Sequence, residues 1–269
     1  MYLAIDIGGS KTLMAALTYS GEVRETFKFH TDQDYSKFLD QIKTAFQDNF
    51  SDHRFTAACC AVPGRLDREK GLVITLGNLP WKNKPIKKDI SKVIDHTPVL
   101  IENDANLAGL AEARVHPKYK KVLYLTVSTG IGDGIIIDGK IDPNFADSEP
   151  GQMVVEYEGK LQKWEDFASG RALFAKYNKK ASEIEDSATW KDFSKGLARG
   201  INELVATLQP EVIILGGGVG AHYEKFSKYL ELALRELENP MTPTPPIIKA
   251  KHSEEAVIYG CYEYIKQHI

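Results

Sequence analysis

Two stretches of the chain share one pattern. YLAIDIGGSKTLMAALTYSGEV, from residue 2, is echoed by VLYLTVSTGIGDGIIIDGKI at 122–141. Each reads as an apolar strand, a glycine turn, a second strand and a Gly-containing turn into a third. The offset of about 120 residues is far beyond the roughly 20–50-residue period of a solenoid. A whole folding unit is therefore what repeats, and 269 residues are enough for two of ordinary size. The pattern predicts two related α/β domains facing a cleft.

Apolar spacing predicts the remaining elements. In the first half, strands are expected over 3–7, 13–19, 23–30, 55–62 and 99–101. Helices are expected over 35–50, with Phe38, Leu39, Ile42 and Phe46 on one face, over 85–94 opening on Pro85, and over 105–114. His116-Pro117 marks a boundary. In the second half the hairpin is followed by irregular sequence, a helix from Trp164, a long helix over 189–208 and a strand over 211–215 ending in GGG. A helix over 221–237, a strand over 247–250 and a last helix from near Ser253 follow. Glu254 and Glu255 fall in its first turn, where the helix dipole favours anions.

Composition excludes several classes. The net charge of −3 leaves no basic footprint for nucleic acid, and no apolar run reaches the about 18 residues of a membrane span. The opening Met1-Tyr2-Leu3-Ala4-Ile5 has no basic signal region, so a cytoplasmic protein is expected. Cys59 and Cys60 are adjacent on a strand and point to opposite faces, and Cys261 is far away, so neither a disulfide framework nor a cysteine zinc site is indicated.

Four motifs carry chemistry. AIDIGGSKT (4–12) places Asp6 on an apolar strand before two glycines. A carboxylate there is costly unless solvated or paired, and hydrated magnesium would account for it. Bare glycine amides suit a phosphate, although a tight hairpin has the same sequence. STGIGDG (128–134) is a second such turn, with hydroxyls at Ser128 and Thr129. LGGGVGA (215–221) reads as a flat shelf for adenine or ribose, or as a helix start packed close to its strand. IENDAN (101–106) ends a strand in three polar residues. Asp104 reads either as a helix cap or as a ligand-facing base at the carboxyl end of a sheet strand, and Asn103 is able to cap in its place.

Taken together, Asp6-Ile7-Gly8-Gly9-Ser10-Lys11-Thr12, Pro63-Gly64, Asn78-Leu79 with Trp81, Glu102-Asn103-Asp104-Ala105-Asn106, Thr129-Gly130-Ile131-Gly132, Ala168-Ser169-Gly170 and Leu215-Gly216-Gly217-Gly218 resemble, in order and spacing, the ROK family of bacterial sugar kinases and repressors. The resemblance implies an α/β fold of two ribonuclease-H-like, actin/hexokinase-type domains flanking a cleft. They would be 1–115 with the C-terminal helix 253–269, and 116–252, the nucleotide-binding domain. It implies Asp104 as general base. It implies Gly64, Asn78, Asn103, Asp104, Glu149 (in EPGQ), Gln152 and Glu165 as sugar contacts. Gly8, Gly9, Ser10, Lys11 and Thr12, with Thr129, Gly130 and Gly132, would be phosphate loops, and Gly216, Gly217 and Gly218 the adenosine shelf. ATP is the implied donor, with magnesium held through water by Asp6.

Family members commonly hold a structural zinc through one histidine and three cysteines between the two glutamates. Gln152 stands in the histidine's place and no cysteine follows, so no zinc is expected. Gln152 is still able to hydrogen-bond a sugar hydroxyl. A polyphosphate-using branch also lacks these cysteines, which leaves polyphosphate as an alternative donor.

The expected activity is phosphoryl transfer to O6 of glucose or a related hexose, with a helix N-terminus keeping Asp104 ionised. A homodimer fits the family. A non-catalytic sugar-binding protein is the alternative, and no N-terminal helix-turn-helix of a repressor is expected, since strand one begins at Tyr2. Trp81 reads as core, with a sugar-flanking role as the other possibility.

Overall fold

The computed structural model describes residues 1–252 and 255–269. The chain divides into two compact units, Met1–Ala111 with Glu255–Ile269, and Glu112–Glu254.

The first unit opens on β1 (Tyr2–Ile7), β2 (Lys11–Leu17) and β3 (Val23–His30), an antiparallel meander. Helix α1 (Tyr35–Asn49) follows, capped by Asp34, whose carboxylate accepts from the amides of Ser36 and Lys37. β4 (Ala57–Val62) then pairs parallel with β1. Three short strands, β5 (Arg65–Asp67), β6 (Leu72–Thr75) and β7 (Lys82–Lys84), make a separate small sheet that apolar spacing does not foretell. Helix α2 (Ile86–Val93), β8 (Val99–Asn103) and α3 (Asp104–Val115) complete the run.

The second unit repeats the plan. β9 (Lys121–Val127), β10 (Ile131–Ile137) and β11 (Lys140–Ile141) form the meander. β12 (Val154–Tyr157) and β13 (Lys160–Lys163) form a hairpin where irregular sequence was expected. Helices α4 (Trp164–Ala168), α5 (Gly170–Tyr177) and α6 (Ser187–Leu208) precede β14 (Val212–Gly216). Then come α7 (Gly217–Gly220), α8 (Tyr223–Arg235) and β15 (Ile247–Lys249). The last helix, α9 (Ala256–His268), belongs to the first unit. Its expected start at Ser253 and Glu254 lies outside the described residues.

The strand orders are β3-β2-β1-β4-β8 and β11-β10-β9-β14-β15. In both, the fourth and fifth strands run parallel to the first. The sequence echo is therefore a repeat of topology.

Side-chain alternation sorts the first unit's core. Leu3, Ile5, Cys60 and Val62 face α1 and α2, while Ala4, Cys59 and Ala61 face α3 and α9. The second face is lined by small residues because helices crowd there: a Cβ on Gly260 of α9 would stand 2.0 Å from the Leu107 carbonyl oxygen of α3. In the second unit, Leu123, Leu125, Ile213 and Leu215 pack with Leu197 and Ile201 of α6 and Phe226 of α8. Trp164 lies flat on Gly200, where a Cβ would come within 2.1 Å of the indole. Trp81 is 2% exposed and packs on Tyr35 and Phe38, as a core residue does.

The division falls inside α3 and not at His116-Pro117. Glu112, fully buried near the end of α3, accepts hydrogen bonds from the amides of Lys251 (2.8 Å) and His252 (2.7 Å), which ties that turn to the second unit. Among the described residues no helix is long and apolar enough to cross a membrane.

Candidate active site

In the first unit the carboxyl ends of three neighbouring parallel strands meet. Asp6 of β1 pairs with Ala61 of β4, and Val62 of β4 with Asn103 of β8. Ligands of open α/β sheets bind at such ends.

The β8–α3 junction separates two duties that sequence alone leaves joined. Asn103 Oδ1 accepts from the amides of Ala105 (2.8 Å) and Asn106 (3.3 Å), so Asn103 is the cap. Its Nδ2 donates to the carbonyl of Gly64 at 3.3 Å. Gly64 has φ +95, and a Cβ would lie 2.6 Å from the Thr75 carbonyl oxygen, so only glycine fits. Asp104 accepts one bond, from the amide of Ala105 at 2.9 Å, and no side-chain hydrogen bond or ion pair to it is found among the described residues. Burial raises its pKa above the ordinary carboxylate range, and the amides of Ala105 and Asp104 itself pull it down by less. The helix start thus opposes the shift, in the direction expected of it, without cancelling it.

Glu102, expected at the strand's polar end, is inside the strand and 2% exposed. It faces inward. Arg68 Nε (2.7 Å) and Nη2 (2.6 Å) donate to its two oxygens, joined by the Asn103 amide (2.7 Å) and Asn106 Nδ2 (3.0 Å).

Asp6 lies on the same sheet face as Ala4. Burial pushes its pKa up to about 7, the charge of Asp104 adds to this, and Lys28 opposes it. The sign of the linkage follows. The folded chain holds this proton more tightly than the unfolded chain, whose carboxyl titrates near about 4. Stability is therefore lost as pH rises from about 4 through about 7. Asp6→Asn is expected to melt near the wild-type temperature at pH 4 and above it at pH 8, in EDTA; equal melting temperatures at both pH values would reject the shift.

The turn after β1 has the polarity an anion needs. The carbonyl oxygens of Gly8, Gly9 and Ser10 accept from Thr31 Oγ1, Gln33 Nε2 and the Thr31 amide. The amides of Gly9 and Ser10 donate to nothing among the described residues. Lys11 is exposed. Thr12 is fully buried and its hydroxyl bonds Thr31 Oγ1 at 2.9 Å, so it supports the turn from within and does not face outward. Asn78 packs on Gly9, where a Cβ would stand 2.5 Å from the Asn78 Cβ.

In the second unit, Thr129 and Gly218 line one hollow of about 670 Å³. Gly216 and Gly217 do not reach it. A Cβ on Gly216 would meet the Tyr124 hydroxyl oxygen at 2.3 Å, and Gly217, at φ +80, abuts Val127 and Thr126, so both are glycine for close packing. Arg171, Phe174, Lys180 and His222 also line the hollow, and among the described residues no Asp or Glu does. Sequence reading missed these four, which belong to no motif; the only signal was their nearness to Ala168-Ser169-Gly170 and the glycine run. His222 is pushed down from its ordinary pKa by burial, then by Lys225 and Lys249, so Arg171 and Lys180 are the hollow's cations.

Beside the hollow sits Glu165. Gln152 Nε2 donates to its Oε1 at 2.8 Å, and Arg171 Nη2 at 3.3 Å. Its Oε2 rests on Gly130 and Gly151, where added Cβ atoms would come within 2.6 and 2.9 Å. Glu149 is exposed, at the head of the 3₁₀ turn Pro150–Gln152. The preceding Ser148 donates to Asp133, a buried acid that burial pushes up to about 6 and that anchors this loop. Gly132 lies in β10, opposite Thr126.

The sequence profile of the ROK family matches residues 2–268. The chain belongs to the ROK family. A glucokinase of Streptomyces coelicolor is 24% identical to it over 81% of each chain. An N-acetyl-D-glucosamine kinase of Histophilus somni is 28% identical over 97% of each. The ROK fold is shared with a solved ROK family glucokinase from Streptomyces griseus in complex with glucose and AMPPNP (TM-score 0.82, 23% identity, 99% of both chains). This ROK chain is a sugar kinase of the two-domain, actin/hexokinase-like α/β fold.

Its donor groups fit nucleotide and magnesium better than zinc. Asp6 and Asp104 are two carboxylates, and among the described residues no three His, Cys, Asp or Glu side chains gather to hold an ion by themselves. Magnesium would therefore reach Asp6 with water and donor phosphates completing its shell, as that ion prefers. A structural zinc has no such fit: Gln152 is engaged with Glu165, and Cys59, Cys60 and Cys261 are buried in the first unit.

Proposed function

We propose that this ROK kinase transfers the γ-phosphoryl group of ATP to O6 of a hexose, glucose or a close relative, with Asp104 as general base. The observation that supports it most is Asp104 itself, a partly buried carboxylate relieved of capping by Asn103 and, among the described residues, lacking a side-chain partner. Unpaired titratable groups of raised pKa mark functional sites.

In this reading Asp104 accepts the hydrogen bond of the attacking hydroxyl, orients it and takes its proton as the new P–O bond forms. Asn103, held by Gly64, fixes a neighbouring hydroxyl, with Gly64 and Asn78 beside it. Glu149, Gln152 and Glu165 are the second unit's sugar contacts. Bound ATP supplies the phosphoryl group, and magnesium offsets its charge. Gly9 and Ser10, with Lys11, and the loop Thr129, Gly130 and Gly132 donate to the phosphates, while Gly218 underlies the adenosine beside Phe174.

The test is an ADP-release screen over hexoses with Mg-ATP, repeated with polyphosphate and a product assay, and with ³¹P NMR to locate the new ester. Hexose-dependent ADP release with phosphate on O6 is expected. Turnover with polyphosphate alone would replace the donor. Sugar binding with no turnover on either donor would make the chain a non-catalytic sugar-binding protein.

A further inference from the structure

We propose that Arg171 is shared between the two substrates. It rests on Glu165 when the donor is absent and swings to the donor's phosphates when the donor binds, freeing Glu165 for the sugar. The proposal builds on the reading of the hollow as the donor site and of Glu165 as a sugar contact.

Glu165 is held from three sides without Arg171. Its Oε2 is wedged against Gly130 and Gly151, and Gln152 binds its Oε1 at 2.8 Å. Arg171 is the looser partner of the same Oε1, at 3.3 Å, through one of its nitrogens only. The Arg171 side chain is 56% exposed against 17% for Glu165. An ion pair so open to solvent is worth little, so breaking it costs little.

The other side of Arg171 faces the hollow that Thr129 and Gly218 line. Its place there is firm, because α5 is pinned at its first residue: the Gly170 amide donates to the Ser128 carbonyl at 2.6 Å, leaving no room for a Cβ on Gly170. Arg171 thus follows directly from an anchor on the phosphate loop. Among the described residues no acid lines the hollow, and its other cation is Lys180. A polyphosphate chain offers more charge than one carboxylate and matches the planar guanidinium fork. It therefore outcompetes Glu165 for Arg171. Once released, Glu165 keeps Gln152 and regains a lone pair for a sugar hydroxyl. Donor and acceptor then favour one another, and the coupling must be equal in both directions.

Calorimetry tests this with glucose and Mg-AMPPNP, each titrated with and without the other at saturation. In the wild type each ligand is expected to tighten the other by about three- to fivefold, the most that an exposed ion pair broken once instead of twice is able to supply. In Arg171→Gln, AMPPNP is expected to bind about tenfold more weakly, glucose alone to bind about as tightly as it binds the donor-saturated wild type, and the coupling to fall below about twofold. Arg171→Lys keeps the charge without the fork and is expected to fall between; it carries the test if the Gln variant does not fold. Coupling that survives in Arg171→Gln, or AMPPNP affinity that does not change, overturns the role of Arg171. A wild type that binds both ligands without coupling also overturns it and leaves the kinase reading standing. A wild type that binds neither removes the kinase reading itself.

Discussion

Asp104→Asn is expected to give a folded protein that binds hexose as before and turns over at least about a hundredfold more slowly, the usual span for losing a general base. The substitution is nearly isosteric. The side-chain carbonyl still accepts from the Ala105 amide, and Asn103 still caps α3. What is lost is the ability to take a proton. Burial raises the Asp104 pKa, so removing the charge relieves a desolvation cost, and the melting temperature is expected to hold or rise. Steady-state kcat, calorimetric sugar affinity and a thermal melt make the comparison. Retention of more than about a tenth of kcat would remove Asp104 from the role of base. The wild type's acid limb is expected above the ordinary carboxylate range, since the base works only when ionised.

Glu102→Ala is the largest expected loss of stability. The side chain is 2% exposed and gathers Arg68, Asn103 and Asn106 around two oxygens. Truncation takes away both oxygens to which the guanidinium donates and leaves the Asn103 amide without its acceptor, which for a buried pair costs roughly 3–5 kcal/mol. Each kcal/mol lowers the melting temperature by roughly 2–4 °C in domains larger than this unit's core, and by more in smaller ones. Arg68→Met added to Glu102→Leu is expected to recover most of the loss, because an apolar pair leaves no uncompensated charge. A single variant melting with the wild type would show that water already screens the pair.

The repeat of topology was legible because buried strands and glycine turns write their period directly, as in 2–30 and 122–141. The small sheet β5–β7 was not. Its strands are three or four residues long, and one is Lys-Asn-Lys, whose pairing is set by neighbours and not by alternation. The hairpin β12–β13 escaped for a related reason, since Val154 and Leu161 are exposed and show no inward face. β8 was cut short at Ile101 because Glu102 looks like an end, yet Arg68, distant in sequence, makes its burial possible. At the site, residue types mark the glycine turns but not which of their members face outward. Thr12, Gly216 and Gly217 turned out to serve packing, and Arg171 and Phe174, which no spacing marks, line the hollow.

The placement of α9 sets an order on biosynthesis. The second unit is one unbroken stretch of chain, so it is able to condense as soon as it leaves the ribosome. The first unit, although translated earlier, waits with the Ala4, Cys59 and Ala61 side of its sheet covered by α3 alone until residues 256–268 are made and Gly260 settles onto Leu107. Nascent chains stalled before that point would show the carboxyl-proximal half resisting protease first.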